Sequence, residues 1–456
     1  MLDNVLLLTD SYKVSHYRQY PQKTERVYSY FESRGGQFDD VLFFGLSYYL
    51  QRYLSGVVVS REKIDEAKSF YADHFGDDQL FYQQGWEYIL QHHGGRLPIS
   101  IRAVAEGSVV PTHNVLMTIE NTDPACFWLT NYLETLLVQV WYGSTVATLS
   151  REMKRVILAA LQRSGDPATV DFKLHDFGFR GVSSVESAAV GGAAHLVNFK
   201  GSDTLAGCLM ARRYYNERMA GFSIPAAEHS TITAWGRDGE ADAYANMLQQ
   251  YPTGLVAVVS DSYDIYAACE HIWGGTLRDT VLQREGTLVI RPDSGYAPDV
   301  VLKVLQILGE TFGASFNDKG YRELPPQVRV IQGDGVDYAM LKTILNHIQA
   351  EGWSANNIAF GMGGGLLQKL NRDTQKFAFK CSEVTVNGNT RAVCKKPVTD
   401  QGKHSKSGRL KLALEQGQYR TVAAHEEGDD QLREVFRNGE LLTKEDFSDI
   451  RQRANK

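Results

Sequence analysis

The chain has 456 residues, 43% of them hydrophobic and 22% charged, which is enough for two or three packed domains and gives no sign of disorder. A formal net charge of −6 excludes wholesale attraction to nucleic acid or an anionic membrane, while leaving room for a local basic pocket. No run reaches the roughly 18 apolar residues of a membrane span. The opening Met1–Asp10 segment lacks the basic flank of a signal peptide. Five scattered cysteines, none in a Cys-x-x-Cys pair, read as reduced thiols of a cytoplasmic protein.

In chain order, residues 1–148 mix strand-like runs (Val27–Phe31, Leu97–Ala105, Val115–Glu120) with helical stretches such as Cys126–Tyr142. From Thr169 one pattern repeats: a β-rich run, a loop of small or acidic residues, then an amphipathic helical stretch. The runs are Thr169–Leu174, Ala194–Phe199, Phe222–Pro225, Leu255–Val259, Thr287–Ile290, Val328–Ile331 and Asn357–Phe360. Val300–Phe312 and Tyr338–Ala350 carry apolar residues at helical spacing. Seven such units predict parallel strands covered by helices, closed into an α/β barrel with its site in the loops after the strands. Beyond Lys380 the chain returns to strands and turns, with a hairpin over Glu383–Asn389. The expected architecture is an irregular α/β barrel over 149–379, with a second, β-rich domain built from both chain ends, 1–148 and 380–456.

The residues in those loops suggest the chemistry. Gly361-Met-Gly-Gly-Gly365 precedes a helix start, where backbone N–H groups approach an anion closely; otherwise it is only a tight turn. Gly333-Asp334-Gly335 is a neighbouring glycine loop suited to the same phosphate. Arg291-Pro-Asp293 sets a phosphate-binding fork beside a carboxylate for ribose hydroxyls or a hydrated Mg²⁺, or is simply a strand-end ion pair. Ser260-Asp-Ser-Tyr-Asp264 places two carboxylates beside hydroxyls. His229, next to Glu228, lies on the same face; a lone histidine is more often structural, but this position favours chemistry. Phe177 and Arg180 suit a flat heterocycle and a phosphate. The basic segment Cys394–Leu410, with Lys395, Lys396, Lys403, Lys406 and Arg409, is either a solvated loop or a clamp for a pyrophosphate or triphosphate. Together these indicate an enzyme for a substrate with several phosphates, a ribose and an aromatic ring.

Longer blocks carry a family resemblance. Thr9-Asp-Ser-Tyr-Lys-Val-Ser-His-Tyr17, His175-Asp-Phe-Gly-Phe-Arg-Gly181, Asn198-Phe-Lys-Gly-Ser-Asp203, Pro225–Trp235, Ser260–Tyr266, Ile290–Gly295 and Val330–Val336 resemble the nicotinamide phosphoribosyltransferases, of the type II phosphoribosyltransferase fold. The resemblance runs to about Asp449. It implies transfer of ribose 5-phosphate from phosphoribosyl pyrophosphate to nicotinamide, with Mg²⁺, and a homodimer with shared active sites. It places Phe177 and the partner copy's equivalent of Tyr12 on either side of the pyridine ring, and Asp203 on the carboxamide. Arg180 and Arg291 would flank ring and phosphate, with Asp293 on the ribose side. Gly333, Asp334, Gly363 and Gly364 would hold the 5′-phosphate, and Asp293 or Asp334 would help substrate phosphates and water hold the metal. Ser260 is counted among the substrate-binding residues. Arg372, Lys380, Lys395 and Lys403 would face pyrophosphate or a nucleotide phosphate. His229 would be phosphorylated by ATP, oriented by Asp264. Two departures stand out: Met362 replaces a serine of the animal members, and the stretch after Arg34 is shorter. The alternatives are a nicotinic acid phosphoribosyltransferase of the same fold and a non-catalytic nucleotide-binding dimer.

Overall fold

The computed structural model describes residues 3–399 and 404–456. The chain divides into two compact units: Met1–Thr148 with Arg213–Glu217 and Leu370–Lys456, and Leu149–Arg212 with Arg218–Lys369. Residues 213–217 and 370–379, which the sequence reading assigns to the barrel, group instead with the unit built from both chain ends.

That unit is organised on a seven-stranded sheet in the order Asn389–Ala392, Phe377–Val386, Thr24–Ser33, Val115–Asn121, Ile99–Ala103, Arg433–Arg437, Glu440–Leu441. Every pairing is antiparallel. Thr24–Ser33 lies inside the sheet, with a C-terminal strand on one side and an N-terminal strand on the other. The expected hairpin turns at Asn387 and Gly388, whose φ values of 50° and 71° belong to a turn that follows the strands' own twist. The expected long helix over Cys126–Tyr142 is broken into the short helices Leu129–Tyr132 and Glu134–Leu137, with a long helix beginning only at Val140.

Residues 213–217 are tied into this unit by polar contacts. Gln51 Nε2 donates to the Tyr214 carbonyl at 2.9 Å, Tyr215 Oη to Glu106 Oε2 at 3.1 Å, and Asn216 Nδ2 to Asp446 Oδ1 at 3.1 Å. Glu106 is buried and also accepts the N–H groups of Gly45 and Ser47, at 2.8 and 2.6 Å. Its carboxylate thus satisfies two donors at the start of the Leu46–Tyr49 helix.

The other unit contains a six-stranded parallel sheet in the order Gly201–Ser202, Leu174–Asp176, Ile358–Met362, Val328–Gln332, Glu285–Arg291, Thr253–Val259. Its two edges are both bridged by one segment. Phe222 pairs with Gly201 and Ala226 with Ala257, through Ser202 N to Phe222 O (3.0 Å), Phe222 N to Lys200 O (2.7 Å), Ala257 N to Pro225 O (2.9 Å) and Ala227 N to Ala257 O (2.9 Å). Residues 222–226 are therefore the seventh stave, and the sheet closes. Alternation along the strands sends Ala257, Val289 and Ile331 into one interior cluster with Phe177, Ile224 and Ala359. Their neighbours Val256, Val258, Leu288, Ile290, Val330 and Phe360 are buried too, as expected of strands covered on both faces. Two expected strands are displaced. Residues 167–172 form a 3₁₀ turn before the strand at Leu174, and Ala194–Phe199 closes the helix Val185–Leu196. That helix is rich in alanine and capped by Ser184, whose side chain accepts from Ser187 N; a short apolar run at its end carries no periodicity that tells helix from strand.

Burial pushes the Glu106 carboxyl up from 4.5 to about 7, and the nearby Glu445 adds to this, against its backbone and Tyr215 donors. A carboxyl with a raised folded-state value favours folding below its unfolded value and loses that contribution as pH rises. Stability is therefore expected to fall by roughly 1–3 kcal/mol between about pH 4.5 and 7 on account of this group. Comparing urea midpoints of wild type and Glu106→Gln across that range checks it: the variant should show a flatter dependence.

Candidate active site

All the loops that follow the barrel strands open at one end, where a cavity of about 470 Å³ is lined by His175, Phe177, Arg180, Asp203, Ser223, Glu228 and Arg291, among others. Phe177 follows the Leu174–Asp176 strand and is anchored by its N–H on the Met362 carbonyl at 2.9 Å. Its ring lies where a side chain on residue 361 would be: a Cβ on Gly361 would fall inside the ring's van der Waals surface. The glycines of the 361–365 run thus differ in purpose. Gly361 admits Phe177, Gly365 admits the Val336 carbonyl, and Gly363 and Gly364 leave space open, with no atom closer than 3.6 Å to their added Cβ positions. Met362 is fully buried and packs beneath the loop against Gly365, so its bulk does not enter the opening. Gln332 Nε2 holds the adjacent glycine loop through the Asp334 carbonyl at 2.9 Å, a support that sequence reasoning missed.

Asp203 stands at the end of the shortest strand, its N–H on the Asp176 carbonyl at 2.9 Å. Its Oδ1 lies 3.0 Å from His175 Nε2 and also accepts from Ser223 Oγ. Burial alone would raise this carboxyl; the His175 contact, Ser223 and the charge of Arg291 outweigh it and hold it below the ordinary value. Behind it, Asp176 is fully buried, accepts from Gly178 N at 2.7 Å, and is pushed up to about 6 by burial.

Just after the 222–226 stave His229 begins a short helix, and its Nε2 meets Asp261 Oδ1 at 3.0 Å. This corrects the expectation for Asp264, which instead caps the next helix, its Oδ1 accepting from Tyr266 N and Ala267 N at 3.0 and 3.1 Å. Of the two carboxylates in the loop, the one nearer the strand end meets His229, and the farther one satisfies helix donors. Ser260 is corrected as well. It is fully buried, donates to the Val258 carbonyl and accepts from Trp273 Nε1, both at 3.0 Å, so it supports the wall and cannot touch a ligand.

Arg291 lies 3.7 Å from Asp293. The Asp293 carboxyl is raised by burial and by the charges of Asp261 and Asp334, with Arg291 and His229 opposing. Asp261 and Asp334 thus add negative charge near Asp293, and carboxylates of this kind would suit Mg²⁺ held through water. Among the described residues the one group of three His, Cys or acidic side chains close enough together to share an ion is His93, Asp123 and Cys126. There Asp123 is already taken by His93 (2.8 Å), Tyr88 (3.1 Å) and Ala125 N (2.9 Å), which makes it a structural latch in the antiparallel unit.

Tyr12, Arg372, Lys380 and Lys395 belong to the antiparallel unit. Tyr12 is 60% exposed on a 3₁₀ stretch. Burial lowers the Lys380 ammonium, and the charges of Arg34, Arg372 and Lys395 lower it further, against Glu134, so these cations share one electropositive region. Lys403 lies outside the described residues.

Comparison with known proteins agrees with this layout. Residues 172–440 match the model of the nicotinate phosphoribosyltransferase (NAPRTase) family, and residues 4–101 match the N-terminal domain of nicotinamide phosphoribosyltransferase. The chain belongs to the nicotinate phosphoribosyltransferase family. A nicotinamide phosphoribosyltransferase of Xanthomonas campestris pv. campestris (strain 8004) is 53% identical, covering 100% of this chain and 98% of the relative. One from Acinetobacter baylyi is 32% identical over 99% and 97%. The solved structure of nicotinate-nucleotide pyrophosphorylase from Pyrococcus furiosus shares the fold of this family member, with a TM-score of 0.62 at 16% identity over 100% of this chain and 96% of that one. No helix among the described residues is long and apolar enough to cross a membrane.

Because Phe177 occupies the space above Gly361, Gly361→Ala should displace the ring, lowering stability by about 1–3 kcal/mol and weakening binding of a planar aromatic amide by roughly tenfold. At Gly333 an added Cβ stays 3.4 Å from Phe177 and Asp293, so Gly333→Ala should be milder. Thermal melting and calorimetric titration with the amide would rank the two.

Proposed function

We propose that the protein joins nicotinamide to the ribose 5-phosphate of phosphoribosyl pyrophosphate, giving nicotinamide mononucleotide and pyrophosphate for NAD salvage. The observation that carries this reading is the pairing, in one cavity, of an aromatic wall at Phe177 with an ionised carboxylate at Asp203. The names of the relatives support it. A carboxylate accepts from an amide N–H and repels the carboxylate of nicotinic acid, so Asp203 selects the amide.

The pyridine nitrogen has a free lone pair and attacks the ribose without a general base. What remains for the protein is alignment and stabilisation of an oxocarbenium-like ribose and a departing pyrophosphate. Phe177 stacks the ring from one side and Tyr12 of a second copy covers the other in a homodimer, a sandwich worth about 1–3 kcal/mol by analogy with bases on aromatic platforms. Arg180 and Arg291 flank the ring and phosphate. Gly333, Asp334, Gly363 and Gly364 leave backbone room for the 5′-phosphate, and Asp293 takes the ribose hydroxyls. Substrate phosphates and water, with Asp293 or Asp334, would hold Mg²⁺, which when bound would neutralise charge on the leaving group. Arg372, Lys380, Lys395 and Lys403 receive pyrophosphate or the phosphates of ATP. His229, oriented by Asp261, accepts the terminal phosphoryl of ATP, and hydrolysis of that phosphohistidine drives the condensation. The five cysteines, none of them joined in a disulfide, suit a reducing, cytoplasmic setting.

The test is mononucleotide formation from phosphoribosyl pyrophosphate, Mg²⁺ and either nicotinamide or nicotinic acid, with and without ATP. Product from nicotinamide, raised by ATP, is expected, and His229→Ala should abolish the ATP effect. Asp203→Asn should shift the preference toward nicotinic acid by roughly tenfold or more. Product from nicotinic acid alone would overturn the substrate, and no product from either would favour a binding protein.

A further inference from the structure

Asp203 is held by one of its two oxygens. Both of its hydrogen-bond donors, His175 Nε2 at 3.0 Å and Ser223 Oγ, fall on the same oxygen, Oδ1, while Oδ2 takes no hydrogen bond from the described residues. A carboxylate only accepts, so His175 presents a proton on Nε2. The imidazole is seated from behind by strand register: His175 pairs with Gly201 across the parallel strands, and a Cβ on Gly201 would stand 2.7 Å from His175 Nδ1. Its ring also packs against Phe177, with centroids 5.1 Å apart. One side chain thus touches both the aromatic wall and the selecting carboxylate.

We infer that His175 is a positioning residue for substrate selection, fastening one oxygen of Asp203 together with Ser223 and leaving the other free to read the carboxamide. This rests on the assignment of Asp203 to the amide. The charged groups facing Asp203 are His175 and, behind it, Asp176 on one strand, and Arg291 on another. Of these, His175 is the one in hydrogen-bonding contact. Without it, burial is opposed only by Ser223 and the more distant Arg291 charge, and Asp203 takes up a proton more readily. A neutral carboxyl donates as well as accepts, so it tolerates the carboxylate of nicotinic acid. Loss of His175 therefore makes substrate choice depend on pH.

The experiment measures kcat/KM for nicotinamide and for nicotinic acid between about pH 5.5 and 8 in wild type, His175→Ala, His175→Gln, Gly201→Ala and Asp203→Asn. Wild type should keep a high, flat ratio. In His175→Ala the ratio should fall by roughly tenfold or more toward the acid end, and His175→Gln, whose amide can still donate, should restore most of it. Gly201→Ala keeps the imidazole but pushes it from its seat, and should reproduce the His175→Ala profile; it carries the test if His175→Ala does not fold. A flat, wild-type ratio in His175→Ala or Gly201→Ala, or an equal loss for both substrates at every pH, would overturn the inference. Asp203→Asn separates the two levels: a wild-type ratio there would overturn the amide assignment itself.

Discussion

Backbone pairing of residues 222–226 with both edges of the parallel sheet is the constraint on which the barrel depends. This stave is short and held by few bonds, yet without it the strands Gly201–Ser202 and Thr253–Val259 would each present an unpaired edge. Closure also sets the chemistry. The segment carries Ser223 to Asp203 on one side and leads to His229, opposite Asp261, on the other. The two halves of the opening keep their separation because one stretch of backbone is bonded to both walls.

Charge is divided across that opening. On the Asp203 side a carboxylate is kept ionised by donors and by Arg291, against its burial. On the other, burial raises Asp293, and the charges of Asp261 and Asp334 add to it. The first arrangement keeps a fixed negative charge at the opening; the second brings further carboxylate charge close to a half-buried acid.

Much of this was legible in the sequence because its signals are local. The runs Leu255–Val259, Thr287–Ile290 and Val328–Ile331 are strands, and Tyr338–Ala350 is a helix with those bounds. The glycine-rich and acidic loops do gather at one end. What escaped depends on partners distant in sequence. Ser260 lies in a promising loop, but Trp273 and the strand's own carbonyl claim its hydroxyl. Asp261 and Asp264 are indistinguishable by type, and only the start of the next helix decides which is spent on capping. Gly361 reads as an anion loop until the Phe177 ring is seen above it. Residues 213–217 join the antiparallel unit because Gln51, Glu106 and Asp446 await them there.

The interleaving of chain ends in the antiparallel sheet bears on how the chain matures at the ribosome. The parallel unit has all its strands once residue 369 has been made, since it draws on 149–212 and 218–369. The inner strand Thr24–Ser33 is synthesised early, but one of its neighbours, Phe377–Val386, and the strand Arg433–Arg437 beside Ile99–Ala103 arrive last. The first part of the chain to emerge must wait for nearly the last before its sheet is whole, with the edges of its early strands unpaired in the interval. Long-range pairing of this kind folds slowly, and nascent chains left in that state are where chaperones are most needed.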